Sequence, residues 1–209
     1  MRLRGRPTLQ TLVAVAVVFL LQQVTGLLGS LRYVLFVLDP TVVARPWSAV
    51  THVYAHANAG HLLANALGLA LAGPLVARRT TTVRFHAFFV TVGVLAGLAE
   101  VFLGGLLGPP SGVVGASGAI FGLFGYLLTG NPVAAGLFDW LDLSARAQVA
   151  LFAVVAILVI LATASPRAAL IGHAVGFGLG LAAGRSQILD VSPASQSPAV
   201  DDAAGYRGP

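Results

Sequence analysis

The sequence predicts an all-α membrane protein, a bundle of six membrane-spanning helices with a half-embedded first loop. Hydrophobic residues make up 57% of the 209-residue chain and charged residues only 9%, whereas soluble domains carry about 25% charged residues. Six apolar segments then divide the chain, and their lengths suit membrane spans of ~20 residues. All twelve basic residues are arginines, and they are scattered between these segments.

The first apolar segment, residues 12–28, follows Arg2, Arg4 and Arg6. A secretory signal peptide can look similar, but this stretch is long for one and no A-x-A cleavage site follows. We therefore expect a retained first span after a cytoplasmic N-terminus at residues 1–10.

The connection after the first span, residues 29–60, is long and too apolar for a water-exposed loop. It contains Tyr33 and Trp47, residue types that anchor segments at the membrane interface. The connection is therefore expected to lie partly in the membrane.

Five further apolar segments lie at residues 61–77, 85–107, 113–128, 149–164 and 168–183. Several have only about 16 or 17 residues, at the lower limit for crossing ~30 Å of hydrocarbon. Such helices are either surrounded by other helices or begin below the membrane surface. Residues 11–185 are thus expected to form one six-span domain. The polar tail at 186–209 is expected to be disordered in the cytoplasm.

The arginines indicate the orientation of the spans. With the N-terminus inside, only Arg32, Arg45 and Arg167 fall outside. The other nine are cytoplasmic: Arg2, Arg4, Arg6, Arg78, Arg79, Arg84, Arg146, Arg185 and Arg207. The positive-inside rule then places both termini in the cytoplasm. Basic residues that are all arginine are typical of a GC-rich prokaryotic genome, so the plasma membrane of a prokaryote is the expected location.

Composition also excludes several kinds of chemistry. The chain has no cysteine, which rules out disulfides, thiol catalysis and cysteine-ligated zinc. Its five histidines lack the H-E-x-x-H pattern of zinc proteases, so neither a metal nor another cofactor is expected. A nucleic-acid partner would need a clustered basic face, which the scattered arginines do not form.

Polar residues inside membrane spans are costly and are therefore candidates for function. His61 and Asn65 are four residues apart at the start of a span, so both side chains project from one helix face. A capping or interfacial role is the alternative. That alternative is favoured for His52 and His56, but it is weaker for Asn65, which lies a full turn into an apolar helix.

Ser117 opens the fourth span within the sequence G-A-S-G. Taken alone, it is more typical of a packing residue, because small residues are common in membrane helices. The preceding Gly-Pro-Pro-Ser-Gly run at 108–112 cannot be helical, so Ser117 falls near a helix N-terminus. Free backbone N–H groups and the positive end of the helix dipole lie there, as a developing oxyanion requires.

His173 lies deep in the last span, where a histidine usually faces the bundle interior. Glycines share its helix face and form a similar stripe after Ser117: Gly176 and Gly180 in one span, Gly118, Gly122 and Gly125 in the other. Facing glycine stripes let backbones approach closely, and a serine must lie within ~3 Å of its base. The alternative is glycine packing with His173 merely bonded to a carbonyl.

Two other polar residues are expected to have no catalytic role. Glu100, in the third span, is interpreted as a structural residue that faces the interior or the outer surface. His86 follows Arg84 at the cytoplasmic start of a span, which favours an interfacial role.

Three motifs in order resemble the rhomboid family of intramembrane serine proteases. They are W-x-x-x-T-H-x-x-x-H-x-x-x-x-H-x-x-x-N from Trp47 to Asn65, G-x-S-G at 115–118, and G-H-x-x-G-x-x-x-G at 172–180. The resemblance implies a compact helical bundle with a water-filled cavity open to the outer side. It also implies a serine endopeptidase whose partners are transmembrane protein substrates within the lipid bilayer.

Residue by residue, the resemblance implies that Ser117 attacks the peptide carbonyl and His173 acts as general base, without an acidic third member. The Ser117 N–H and the side chains of His61 and Asn65 would form the oxyanion hole. Phe121 takes the place of an aromatic residue that packs on the imidazole.

The resemblance further implies supporting roles for Gly115, Gly118 and His56. One departure from the family pattern concerns the first loop, where Trp47 is followed by Ser48 rather than by arginine. Another is the lack of a glutamate near the end of the second span. Both put loop rigidity and stability in doubt more than activity.

Two other functions remain possible. A catalytically inactive relative would bind membrane helices, but such proteins typically lose the serine or the histidine. A small transporter could use in-span histidines and broken helices, but it would be expected to show repeated halves, which this chain lacks.

Overall fold

The computed structural model describes residues 6–107, 112–130 and 169–191, with isolated positions between 142 and 154. Across these residues the chain is mostly helical and forms no strand, which confirms the predicted all-α class for that part. The predicted fifth span at 149–164 lies outside the described residues, apart from isolated positions. The count of six spans therefore stays a prediction.

Eight helices follow one another in the described residues. They are α1 (Arg6–Gly26), α2 (Leu31–Phe36), α3 (Ser48–Tyr54), α4 (Ala59–Ala77), α5 (Thr82–Ala99), α6 (Gly105–Leu107), α7 (Ser117–Gly130) and α8 (Leu170–Arg185). A 3-10 turn spans Pro40–Val43, and a π-helical turn, Glu100–Gly104, joins α5 to α6. Three helical segments are long and apolar enough to cross a membrane. They are α1, α4 and Thr82–Gly104, which is α5 together with the π-helical turn.

α7 is the central helix of the described bundle. Of its 14 residues, 11 are buried, and α4, α5 and α8 all pack against it. At 1.5 Å per residue it is only ~21 Å long, less than the ~30 Å of hydrocarbon. The prediction that a short span is surrounded by other helices is confirmed for α7.

The helix boundaries differ from the predicted segments at two places. α1 already begins at Arg6, so part of the predicted N-terminal segment is helical. The predicted start of the fourth span at residue 113 is wrong, because α7 begins only at Ser117. Val113 instead pairs with Leu38 of the first connection through two backbone hydrogen bonds, of 3.1 and 2.8 Å.

A polar cluster holds the connection between α1 and α4 in shape. The Asp39 carboxylate accepts hydrogen bonds from Arg45, at 2.5 Å, and from the Tyr33 hydroxyl, at 2.6 Å. Burial raises the pKa of Asp39, but the hydrogen bonds from Thr41, Tyr33 and Arg45 outweigh it and hold that pKa well below its usual range. Ser48, rather than an arginine, follows Trp47 in this chain. The cation of the loop is supplied instead by Arg45, two residues before the tryptophan.

The two predicted glycine stripes do face each other, on α7 and α8, and together they form a glycine seam. A Cβ added to Gly176 would overlap the carbonyl oxygen of Gly118, and one on Gly180 would overlap that of Gly122. One on Gly125 would overlap the Phe177 carbonyl oxygen. The expected close approach of these two spans is therefore confirmed.

The residues after α8 fold back on the bundle. The Tyr126 hydroxyl donates to Asp190 over 2.6 Å, and the Val191 N–H donates to the Arg79 carbonyl over 3.0 Å. Leu189 between them is buried. The first part of the predicted tail therefore packs against α7 and the residues after α4, rather than being disordered. Residues 192–209 lie outside the described part of the chain.

Candidate active site

A tight turn brings Ser117 to the first position of α7. Gly115 has a φ of +134°, a value that side chains rarely allow, and its N–H donates to the His52 carbonyl over 2.9 Å. Two residues before this turn, Val113 pairs with Leu38, which ties the segment before α7 to the connection between α1 and α4. Ser117 therefore lies at a helix N-terminus, as predicted, and is 7% exposed.

Ser117 and His173 are in direct contact across the seam between α7 and α8. His173 Nε2 lies 2.8 Å from Ser117 Oγ, and both side chains are buried. With Nε2 unprotonated, the serine hydroxyl donates this hydrogen bond. Nδ1 of His173 has no hydrogen-bond partner in the described part of the chain. A serine bonded to an imidazole is the arrangement that activates a hydroxyl as a nucleophile.

Phe121 packs on the imidazole of His173. Its ring lies one turn after Ser117 on α7 and stacks on His173 with centroids 4.5 Å apart and planes 24° apart. The ring is 5% exposed, so packing on α7 restricts both aromatic planes. The structure thus brings the three residues together at one point of the seam.

His61 and Asn65 approach the same point from α4. Both side chains are buried, and Asn65 Nδ2 donates to the His61 carbonyl over 2.9 Å. A Cβ on Gly115 would lie 2.8 Å from His61 Nε2 and 3.7 Å from Ser117 Oγ. The imidazole of His61 and the hydroxyl of Ser117 therefore flank Gly115.

Two polar atoms of this α4 pair have no partner within the described residues, His61 Nε2 and Asn65 Oδ1. Asn65 Nδ2 carries two hydrogens and uses one of them on the His61 carbonyl. Buried polar atoms without partners are uncommon and call for an explanation. A ligand oxygen beside Ser117 would supply one for His61 Nε2 in the tautomer protonated there, but Asn65 Oδ1 can only accept and needs a donor.

His52 and His56 both turn into the bundle, and their side chains are buried. They are 1% and 0% exposed. His52 Nδ1 lies 3.0 Å from the Ser48 carbonyl, while the His56 ring meets His61 edge to face with centroids 5.0 Å apart. The polar run after Trp47 thus folds inward, and its backbone supports the Gly115 turn through the His52 carbonyl.

Gln22 of α1 is a residue that sequence reasoning missed. Its side chain is 1% exposed, and Oε1 accepts the His56 N–H over 2.8 Å. Within the described residues, the side chain of the neighbouring Gln23 bonds only to the Phe19 carbonyl in its own helix. The signal was a pair of glutamines in an apolar span, but the sequence alone does not say which of the two faces inward.

A small cleft of about 20 Å³ adjoins Ser117 and His173. Small residues of α5 and of the segments where α7 and α8 begin line much of the cleft, and Glu100 lines it as well. Glu100 Oε2 accepts the backbone N–H of Gly172 over 2.8 Å. The structural role predicted for Glu100 is therefore a contact with the helix that carries His173.

The chain matches the model of one known protein family. A family model described as a rhomboid domain matches residues 43–188, well over half of the chain. The matched range contains Ser117, His173, His61, Asn65 and Phe121. Among curated proteins, no match is found.

Proposed function

The chain belongs to the rhomboid family, and on that premise we propose that it is an active intramembrane serine endopeptidase. Its substrates are single-span membrane proteins, cleaved in or near their transmembrane segments. The observation that carries this proposal is the 2.8 Å contact between Ser117 Oγ and His173 Nε2 in a buried site. An inactive relative has no need for this pair.

The proposed reaction proceeds by covalent catalysis. His173 Nε2 takes the hydroxyl proton as Ser117 Oγ bonds to the carbonyl carbon of the scissile peptide. The protonated imidazole then gives this proton to the leaving amine, and an acyl-enzyme forms. Water enters, loses a proton to His173 and attacks the ester, and the serine hydroxyl is restored when the acid leaves.

Three donors are proposed to stabilise the oxyanion. The Ser117 N–H is one of the free donors of the first turn of α7, and the helix dipole adds a favourable field there. The second Asn65 Nδ2 hydrogen and the His61 side chain, if protonated on Nε2, complete the set. The unpartnered Nε2 of His61 and the unused second hydrogen of Asn65 Nδ2 support this assignment.

The location is part of the same proposal. The domain lies in the plasma membrane of a prokaryote with both termini in the cytoplasm, and residues 29–60 lie on the outer side. The arginine distribution supports it, since nine of twelve arginines fall on one side.

Cleavage of a model single-span substrate by purified protein in proteoliposomes tests the proposal. Wild-type protein should cleave it and should be labelled at Ser117 by a fluorophosphonate. Ser117→Ala and His173→Ala should each abolish cleavage while the protein keeps its thermal stability. Wild-type protein that neither cleaves nor is labelled would support the inactive relative, and cleavage by Ser117→Ala would show that another nucleophile acts.

A further inference from the structure

Glu100 holds an unusual position in the bundle. It is the only glutamate in the chain and the first residue of the π-helical turn that follows α5. Its Oε2 accepts the N–H of Gly172 over 2.8 Å. Gly172 is the third residue of α8, and His173 comes directly after it.

This contact replaces a missing helix cap. The first N–H groups of any helix have no partner within the helix. Ala169, the residue before α8, offers no side-chain cap. The carboxylate of Glu100 therefore satisfies a free donor of the first turn from a neighbouring helix, and its negative charge lies at the positive end of the α8 dipole.

The surrounding backbone leaves the carboxylate little freedom. A Cβ on Gly172 would lie 2.9 Å from the Ala96 carbonyl oxygen and 3.4 Å from Glu100 Cβ, so α5 and α8 approach closely only because residue 172 is glycine. On the other side, a Cβ on Gly104 would lie 2.9 Å from Glu100 Oε1. The side chain is thus confined between the π-helical turn and the start of α8.

We propose that Glu100 is a positioning residue for catalysis: its carboxylate sets the height and rotation of the first turn of α8, and thereby the position of His173 Nε2 against Ser117 Oγ. This inference rests on the proposed protease function. The glycine seam sets the distance between α7 and α8. The bond to Gly172 adds a directional contact at the end of α8 where His173 lies.

The expected effect on the rate is large for a residue outside the reacting pair. Misplacement of a catalytic group by about 1 Å can cost on the order of a hundredfold in rate. Loss of the Glu100 contact should therefore lower kcat by about ten- to a hundredfold. KM should change less than kcat, because the carboxylate is engaged by the Gly172 N–H.

Three substitutions separate hydrogen bonding from charge and from simple packing. Glu100→Gln keeps the reach and an acceptor oxygen but loses the charge, so kcat should stay within about threefold of wild type. Glu100→Asp keeps the charge but is one methylene shorter, so it should lose most of the rate, as should Glu100→Ala. If the alanine variant does not fold, the aspartate and glutamine variants still decide.

The measurement is kcat per Ser117 site labelled by a fluorophosphonate, which removes any effect of unfolded protein. Tyr126→Phe is the matched control, because it removes the bond to Asp190 that tethers the segment after α8. It should lower thermal stability and leave kcat per labelled site unchanged. Wild-type kcat in Glu100→Ala, or a glutamine variant as slow as the aspartate variant, would overturn the inference.

Failure of the proposed function gives a different result. In that case the wild-type protein itself would neither cleave the substrate nor be labelled, and the inference would fall with its premise. Cleavage by wild type, lost in Ser117→Ala but undiminished in Glu100→Ala, would remove only the role of Glu100.

Discussion

Gly176 of α8 lies directly against the carbonyl oxygen of Gly118 in α7, with no room for a side chain between them. Gly176→Leu should therefore force the two backbones apart and separate His173 from Ser117. We expect a loss of at least about a hundredfold in kcat, together with an overpacking cost of about 1–3 kcal/mol. Cleavage rate per folded protein, with thermal unfolding measured in parallel, checks both effects.

Gly178 provides the matched control for this substitution. It lies two residues further along α8, and a Cβ there would have nothing within 4 Å. Gly178→Leu should leave cleavage unchanged. Equal losses in both variants would mean that a leucine in place of any glycine of α8 lowers the rate, whether or not the residue contacts Gly118.

Asn65→Ala should slow the reaction without stopping it. The substitution removes one proposed oxyanion donor but leaves Ser117, His173 and the Ser117 N–H in place. Loss of such a donor typically costs about 10²–10³ in kcat, and the share is smaller where other donors remain. KM should change little, and Ser117 should still be labelled by a fluorophosphonate. An undiminished kcat per labelled site would reduce Asn65 to a packing residue.

Acid should weaken the polar cluster of the first connection. The pKa of Asp39 in the folded protein is depressed below the reference value of about 3.9. The ionised carboxylate therefore stabilises the fold above about pH 4, and this contribution is lost as the pH falls through the folded pKa. The difference in Tm between wild type and Asp39→Asn should be constant from pH 7 to about pH 5 and should shrink below about pH 4.

Arg45→Gln serves as the partner control for this prediction. It removes the cation from the same carboxylate, so its Tm difference from wild type should shrink over the same pH range. A difference that is independent of pH in both variants would show that the cluster contributes through packing alone.

The proposed orientation can be checked with single cysteines, because the chain has none of its own. Ser30 is exposed in the connection after α1, so Ser30→Cys should react with an impermeant maleimide in intact cells. Ser195→Cys, in the tail, should react only after the cells are opened. The reverse pattern would invert the topology.

The glycine seam was predictable because it depends on helical spacing alone. Residues at i, i+3 and i+7 share a face in any α-helix, so Gly176 and Gly180 had to lie beside His173. That Ser117 lies near a helix start was predictable for a similar local reason, since the glycines and prolines at 108–112 exclude a helix there. Such local rules need no knowledge of the packing.

Other contacts could not be predicted because they depend on how distant elements pack. Glu100 bonds to Gly172 and Gln22 bonds to His56, and a polar residue in an apolar span reveals only that some partner is needed. The start of α7 at Ser117, rather than at residue 113, also depends on how distant elements pack. Val113 is apolar enough to extend the span, but its pairing with Leu38 stops it from doing so.

The glycine seam also limits how this protein can move. Because α7 and α8 touch backbone to backbone, no layer of side chains between them can change rotamer and let one helix slide past the other. We expect the pair to shift as a single rigid body, which would keep the serine and the histidine together. Any opening that admits a substrate helix must therefore form at another boundary, where side chains fill the gap.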